Sequence, residues 1–443
     1  MAEVLCANLT QKYGNVRCTK VGHKTCRGCR LVLVCYRFIL FHVPLGKLLT
    51  NPGTIDLLQL KDNEGEAVSQ DFALLLAASG DLRSLMKTIN SLPETYSGTL
   101  DFNLNDNEEM VVARNIILLI IAFSFPPSEA SVIMIHLWYS AFLPKHLLEA
   151  VQSRIVPLFQ DVSSLTQEEP TKLLKKTFSY HNITLTATLP KRAWEKILSN
   201  FANSSNPLDG WKLAEVLQTS YAAENDIYGQ LHQHVLGFLT KFCEKLPALR
   251  MNVSFLNMDP INLPQCIGRF NGKQKVYDRI DLASIAETGP QLAKALDSFG
   301  PLLKSRHQNP KATLITIFLD ITLRMRTFAD QKDWLSRKTA TVQRFLSLDS
   351  TALSKGCYKA DYLNFLSAHD LFLNRNAIFN RFVQSARLTQ IGVPVNLEMK
   401  PRHTVIAKWP LRLPNSPTKH DFEMLHWSSH HGSERYIEWQ RTL

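Results

Sequence analysis

The sequence predicts an α/β protein with a mostly parallel sheet, and three observations carry that reading. Phe72-Ala-Leu-Leu-Leu-Ala-Ala78 is a continuous apolar run, as expected of a strand buried on both faces. Leu82 to Leu92 then has helical spacing, at Leu82, Leu85, Met86 and Ile89, and stops at Pro93. Thr99 to Leu104 alternates as a second strand, and Glu108 to Phe123 is strongly helical. Strand, helix, strand, helix is the pattern of parallel strands with helices on the faces of the sheet.

The remaining elements extend it. Ser128 to Gln160 reads as a long helical stretch broken near Pro144, and Thr171 to Leu189 alternates as a hairpin. Asn203 to Gly210 is a polar loop, and Trp211 to Lys245 is helical with a break at Asn225-Asp226. Asn252 to Leu256, Val276 to Leu282 and Ala312 to Leu319 are further strands, and Gly289 to Phe299 is a helix stopped by Gly300-Pro301. Residues 331–443 mix helices with a Pro-rich stretch from Pro401 to Pro417. Three regions result: residues 1–50, rich in Cys, Gly and basic residues and ending in a joint; residues 51–330, the α/β body; and residues 331–443, a basic helical extension.

Composition excludes several classes. Hydrophobic content of 45% and charged content of 20% are those of a globular protein, and no low-complexity tract points to long disorder. The first ten residues lack a signal-peptide pattern, and the longest apolar run, Ile116 to Phe125, is half the length of a membrane span. Scattered cysteines suit a reducing compartment, so a cytoplasmic or nuclear location is expected, without membrane contact. The net charge of +11 sits at the two ends: residues 1–50 and 331–443 carry +7 each, and the middle carries −3. Basic ends can touch nucleic acid or acidic proteins, but no aromatics interleave with the basic residues to stack bases, so solvated surface is the favoured reading.

Five of the eight cysteines lie before residue 36, spaced Cys6-x11-Cys18-x7-Cys26-x2-Cys29-x5-Cys35. A Cys-x2-Cys knuckle beside other cysteines is a zinc signal, and Lys24, Arg27 and Arg30 favour the thiolate form. The stretch from Cys18 through Gly22-x-Lys24-Thr-Cys26-Arg-Gly-Cys29 to Cys35 resembles the first half of a MYND-type zinc finger. That resemblance implies two interleaved zinc sites. One would keep Cys6, Cys18 and Cys35, the other only Cys26 and Cys29, because the chain continues as Tyr36-Arg-Phe-Ile-Leu-Phe-His-Val43 with no further Cys until Cys243. His23 and His42 are substitutes outside the family pattern. Structural zinc takes four ligands, so weak or absent zinc is expected over a rearranged site. Decay of the finger, or an intron read through after Cys35, would each produce this pattern.

The body carries a second resemblance. Leu58-x-Leu-Lys-Asp-Asn63, Ser79-Gly-Asp-Leu-Arg83, Asn105-Asp106, Val112-Ala-Arg-Asn115 and His136-Leu-Trp-Tyr139 come in order. Pro207-Leu-Asp-Gly-Trp211, Asn225-Asp-Ile-Tyr228, Tyr277-Asp-Arg-Ile280 and Gly300-Pro-Leu-Leu303 follow. Together they resemble a fungal MYND-type zinc finger family with a domain of unknown function, shared with the N-terminal region of dynein axonemal assembly factor three. The resemblance implies a non-catalytic, chaperone-like interaction or assembly role with other proteins as partners.

The same stretches have a chemical reading. A strand, a glycine turn, a helix and a second strand ending in an acid is how a Rossmann-like, methyltransferase-like fold holds S-adenosylmethionine. Gly80, Asp81, Asp106 and Asp259 are the candidate cofactor-binding residues, with Asp106 toward the ribose hydroxyls. Asp259 and then Tyr277-Asp278-Arg-Ile resemble later strand ends of that fold. Arg114 and Asn115 are candidates for lining the site. Against a cofactor, the turn Ala77-Ala-Ser-Gly-Asp81 has one glycine, not Gly-x-Gly-x-x-Gly. Asp81 can equally pair with Arg83, Asp106 can serve a turn, and Asp259 can cap a strand end. Neither His-Glu-x-x-His, Gly-x-Ser-x-Gly nor a phosphate-binding Gly-x4-Gly-Lys-Ser/Thr occurs. His426, His430 and His431 lack an acid or Cys in register and read as a solvated tail, with Trp427 and Trp439 as its anchors.

Overall fold

The computed structural model describes residues 53–442 apart from 66–68, 141–142, 160–168, 196, 198–206, 209, 223–225, 271–274, 287, 347–364, 366, 369, 411, 415 and 428–431. All five N-terminal cysteines lie outside the described residues. The chain divides into two compact units.

The larger unit comprises Asn51–Met325, Arg375–Arg412 and Ser428–Leu443. Among its described residues there are nine strands, β1 (Phe72–Leu76), β2 (Thr99–Asn105), β3 (Leu173–Tyr180), β4 (Ile183–Pro190), β5 (Arg250–Leu256), β6 (Arg279–Asp281), β7 (Thr313–Phe318), β8 (Leu397–Met399) and β9 (Arg435–Arg441). They form one sheet in the order β3-β4-β5-β2-β1-β6-β7-β9-β8. β4 through β7 run parallel to their neighbours, while β3 pairs antiparallel with β4, and β9 pairs antiparallel with β7 and β8. The fold is therefore α/β with a mostly parallel sheet, as the sequence predicts.

Both faces of the sheet are covered, which is why β1 is a continuous apolar run. One face, with Leu74, Leu76, Leu100, Phe102 and Leu104, belongs to a core shared with helices Arg83–Ser91, Glu109–Ser124, Pro127–Tyr139 and Ile227–Lys245. The other, with Leu75, Ile280, Leu282 and Leu314, joins helices Leu263–Phe270, Gly289–Phe299 and Arg375–Ser385. Helix Glu109–Ser124 buries every residue from Ile116 to Ile121. A helix apolar all round must sit inside the protein, and this one packs among three neighbouring elements of its core.

The expected helical stretch 128–160 is two helices, Pro127–Tyr139 and Lys145–Arg154, each beginning just after a proline. The expected hairpin is β3 and β4, joined through His181-Asn182. Residues 331–443 are not purely a helical extension: β8 and β9 lie within them and form one edge of the main sheet. Trp439 is fully buried there, its Nε1–H donating to Thr316 Oγ1 at 3.1 Å.

The described residues of the smaller unit lie within Arg326–Asn374 and Leu413–Trp427. Among its described residues, Val342, Phe365, Ala368 and Phe422 form a core. Phe345 stacks on Phe422 at 4.9 Å, and His426 stacks on Phe422 at 5.2 Å. Helix Phe328–Phe345 opens with a capping box, Thr327 and Asp330 each accepting the other's backbone N–H.

Candidate functional site

Parallel sheets present their binding crevice at the carboxyl ends of the strands, and the sequence-derived candidates fall there. β2 lies between β1 and β5, so the segments that follow these three strands are neighbours. Gly80 ends the turn after β1 with φ +60°, a conformation glycine adopts without steric cost. Its N–H donates to Asp106 Oδ2 at 2.9 Å. Asp106 Oδ1 accepts the N–H of Glu108 at 2.9 Å, at the entry to helix Glu109–Ser124. Both oxygens of this buried carboxylate are thus bonded to backbone. Burial still outweighs these bonds and raises its pKa above the usual carboxylate value.

Asn105, fully buried, ties the same edge together. Its Nδ2 donates to Ala77 O at 2.9 Å and to Met258 O at 3.0 Å, and its Oδ1 accepts Met258 N–H at 3.2 Å. Asn257 Nδ2 donates to Asp106 O at 2.9 Å, and Asn115 Nδ2 to Gly80 O at 3.1 Å. The turns after β1, β2 and β5 are therefore held to one another by side-chain amides.

Asp81 turns away from Asp106 to Arg83. Its Oδ1 accepts Arg83 N–H at 2.9 Å, and its Oδ2 meets the guanidinium at 2.7 Å. Burial alone would raise the Asp81 carboxyl, but Arg83 outweighs it and holds the pKa below the usual range. Arg83 in turn stacks over Trp211 at 5.6 Å, and Trp211 Nε1–H donates to Tyr139 Oη at 2.9 Å. Burial pushes Tyr139 up to about 12 and lowers Arg114, whose Nε is buried without a hydrogen-bond partner. Asp259 is exposed, and its Oδ1 accepts Ile261 N–H at 2.9 Å, capping the short helix Pro260–Asn262.

Two placements differ from the sequence reading. Asp278 and Arg279 stand at the amino end of β6, not at a carboxyl end, because the strand continues to Asp281. There they are structural. Asp278, fully buried, accepts Ala73 N–H at 2.8 Å, Lys304 Nζ at 2.8 Å and Asn309 Nδ2 at 2.7 Å. Arg279, also fully buried, holds Leu57 O, Leu58 O and Glu64. The residue of β6 that does reach the carboxyl edge is Asp281. Its side chain keeps some exposure, yet the packing around its carboxyl pushes it up to about 6.

The sequence reading also missed the network around Glu438, fully buried in β9. Its carboxylate accepts the N–H groups of Thr404, Val405 and Ile406 at 2.8–3.1 Å, with Lys400 Nζ at 3.3 Å. A cleft of about 440 Å³ adjoins this segment, with Asp56, Lys87, Trp211, His403 and Tyr436 in its walls. Asp56 accepts Leu58 N–H and Gln59 N–H, and Lys87 pairs with Glu215 at 3.2 Å. Among the described residues no group of three His, Cys, Asp or Glu is placed to hold a metal ion, and no helix is long and apolar enough to cross a membrane.

The fold and this edge define an α/β protein whose central crevice is bridged by its own side chains. Residues 49–143 match the family model described as Domain of unknown function (DUF4470). That match spans β1, the Gly80 turn, β2 and helices Arg83–Ser91, Glu109–Ser124 and Pro127–Tyr139. No curated protein and no solved structure matches the chain.

Proposed function

We propose that this chain is a non-catalytic protein-interaction or assembly protein, built on a Rossmann-like sheet whose ligand edge is occupied by its own side chains. The observation that carries the reading is Asp106. The carboxylate that would meet ribose hydroxyls instead accepts two backbone N–H groups, from Gly80 and Glu108. A cofactor at this edge would compete with bonds already made. The sequence resemblance to an assembly-factor domain supports the same conclusion, and other proteins are then its ligands.

A second reading rests on strand order. Counted along the chain without the β3–β4 hairpin, the sheet runs 3-2-1-4-5-7-6, with the seventh strand antiparallel. The usual dinucleotide-binding order is 3-2-1-4-5-6. An antiparallel strand inserted before the last one is the methyltransferase-like variant, which favours an S-adenosylmethionine-binding relative. The space beside Gly80 is open, since a Cβ built there meets no atom within 4 Å.

Calorimetric titration of the purified full chain with S-adenosylmethionine and S-adenosylhomocysteine separates the two readings. The interaction reading expects no saturable heat. Saturable binding of either compound would move the second reading to first place. Metal content of the same sample tests the zinc expectation for Cys6, Cys18, Cys26, Cys29 and Cys35.

A further inference from the structure

The sheet reverses its order between β1 and β6: the chain runs outward from β1 through β2 to β5 on one side, and from β6 to β7 on the other. Open α/β sheets bind ligands at the carboxyl edge of such a point. Asp106 and the side-chain amides that close this edge join the turns after β1, β2 and β5. The end of β6 is outside that closure. Asp281, its last residue, is partly exposed, as are Ala78 to Gly80 after β1 and Ala283 to Ile285 after β6.

Asp281 pairs with Leu76 of β1 and Ile315 of β7, and Tyr436 of β9 pairs with Ile317 of β7. Paired residues point to the same face of a sheet, and Leu76, Ile315, Ile317 and Tyr436 belong to one core. Asp281 and Tyr436 therefore share that face. Burial, then the charges of Glu434 and Asp281, hold the Tyr436 phenol protonated. Each residue has an oxygen left over. Asp281 Oδ1 accepts Ala283 N–H at 2.8 Å, while among the described residues its Oδ2 has no hydrogen bond and no ion pair. Tyr436, only 3% exposed, stands in the wall of the 440 Å³ cleft, and among the described residues its hydroxyl has no hydrogen bond. A largely enclosed carboxylate without a counter-ion is costly, and an enclosed hydroxyl without a partner adds to that cost.

The free atoms identify the occupant. A guanidinium makes its strong contact as a fork on both oxygens of a carboxylate, and Ala283 already holds one oxygen of Asp281. A metal ion needs more ligands than one carboxylate oxygen and one phenol, and no group of three His, Cys, Asp or Glu is placed for one among the described residues. An ammonium is a compact charge whose donors rotate, and it fits single acceptors. We propose that Asp281 and Tyr436 form a binding site for a primary ammonium group on an alkyl stem, the stem lying in the cleft beside Tyr436, along Ile55, Val405 and Ile406. The proposal goes beyond the interaction reading. It uses no group of the closed edge, so its failure leaves that reading intact.

The test is a ligand-observed NMR titration of the full chain at neutral pH with two probes, n-butylammonium and acetyl-lysine amide. Saturable binding is expected, and acetylating the side-chain amine of the lysine probe is expected to abolish it. Asp281→Asn is expected to weaken binding by about tenfold or more, and Tyr436→Phe by about threefold or more, each with unchanged circular dichroism. Asp281→Asn removes a charge that its surroundings oppose, so it is expected to fold. Should it not, Tyr436→Phe, which keeps the ring, carries the test. Acetyl-arginine amide is expected to bind more weakly than the lysine probe. Binding of both amines assigns the site to a lysine side chain of a partner, and binding of n-butylammonium alone assigns it to a small amine. Absence of saturable binding, equal binding of the acetylated probe, tighter binding of the arginine probe, or undiminished binding by Asp281→Asn would each overturn the proposal.

Discussion

Asp106 and Gly80, 26 residues apart, are joined by one hydrogen bond of 2.9 Å from the glycine N–H to the aspartate Oδ2. This bond links the turn after β1 to the end of β2, and the second oxygen of Asp106 starts the following helix through Glu108 N–H. An acid in the place of a ligand-binding residue is thereby a structural bridge. This bridge and three other buried groups each lead to a measurable outcome.

Gly210 has φ +81°, and a Cβ added there would overlap the Arg83 guanidinium. Gly210→Ala therefore combines backbone strain with displacement of a buried arginine from Asp81. The expected loss is about 2–4 kcal/mol, read as a lower midpoint in denaturant unfolding. An unchanged midpoint would mean that Arg83 is not held where the structure places it.

Glu438 is enclosed by three backbone N–H groups and Lys400. Glu438→Ala leaves a buried ammonium and these donors without their acceptor, so a loss of about 3–5 kcal/mol is expected. Glu438→Gln keeps one acceptor oxygen and should cost less. Loss of the segment around Thr404 would show as faster amide exchange at Thr404, Val405 and Ile406.

Asp281 gives a pH dependence of definite sign. Its folded pKa, raised to about 6 by burial, lies above that of the unfolded chain. Its contribution to stability is whole below about pH 4 and is lost as pH rises from there through about 6. Asp281→Asn removes the cost of ionising this carboxyl. The variant should match the parent at pH 4 and exceed it at pH 7 by about 1–3 kcal/mol. Thermal melts at the two pH values measure the difference, and a variant less stable at pH 7 would refute the assignment.

Much of the architecture was legible in the sequence, and the exceptions have physical causes. β1 and helix Glu109–Ser124 declare themselves because burial on all sides demands unbroken apolar runs. β9 does not, because its buried positions include Glu438 and Arg435, and the partners that satisfy Glu438, Thr404 to Ile406, lie far along the chain. β8, with three residues, is too short to show a period. The glycine turn and the acids after β1, β2 and β5 were legible as positions, but whether their oxygens face a ligand or a backbone N–H depends on chain segments that sequence alone does not juxtapose. Asp278 illustrates this: its neighbours Ala73, Lys304 and Asn309 are brought to it by the sheet and by the loop before β7.

The most direct test of the closed-edge account is the stability of Asp106→Asn in the full chain. The substitution turns one accepting oxygen into a donor and leaves one of the Gly80 and Glu108 N–H groups without a partner. The account predicts a loss of about 1–3 kcal/mol in the unfolding free energy, because both oxygens of Asp106 accept an N–H and the stranded donor outweighs the relief of the buried charge. A carboxylate kept for a ligand would behave in the opposite way: its removal from a buried site would leave stability unchanged or raise it, and that result would contradict the account.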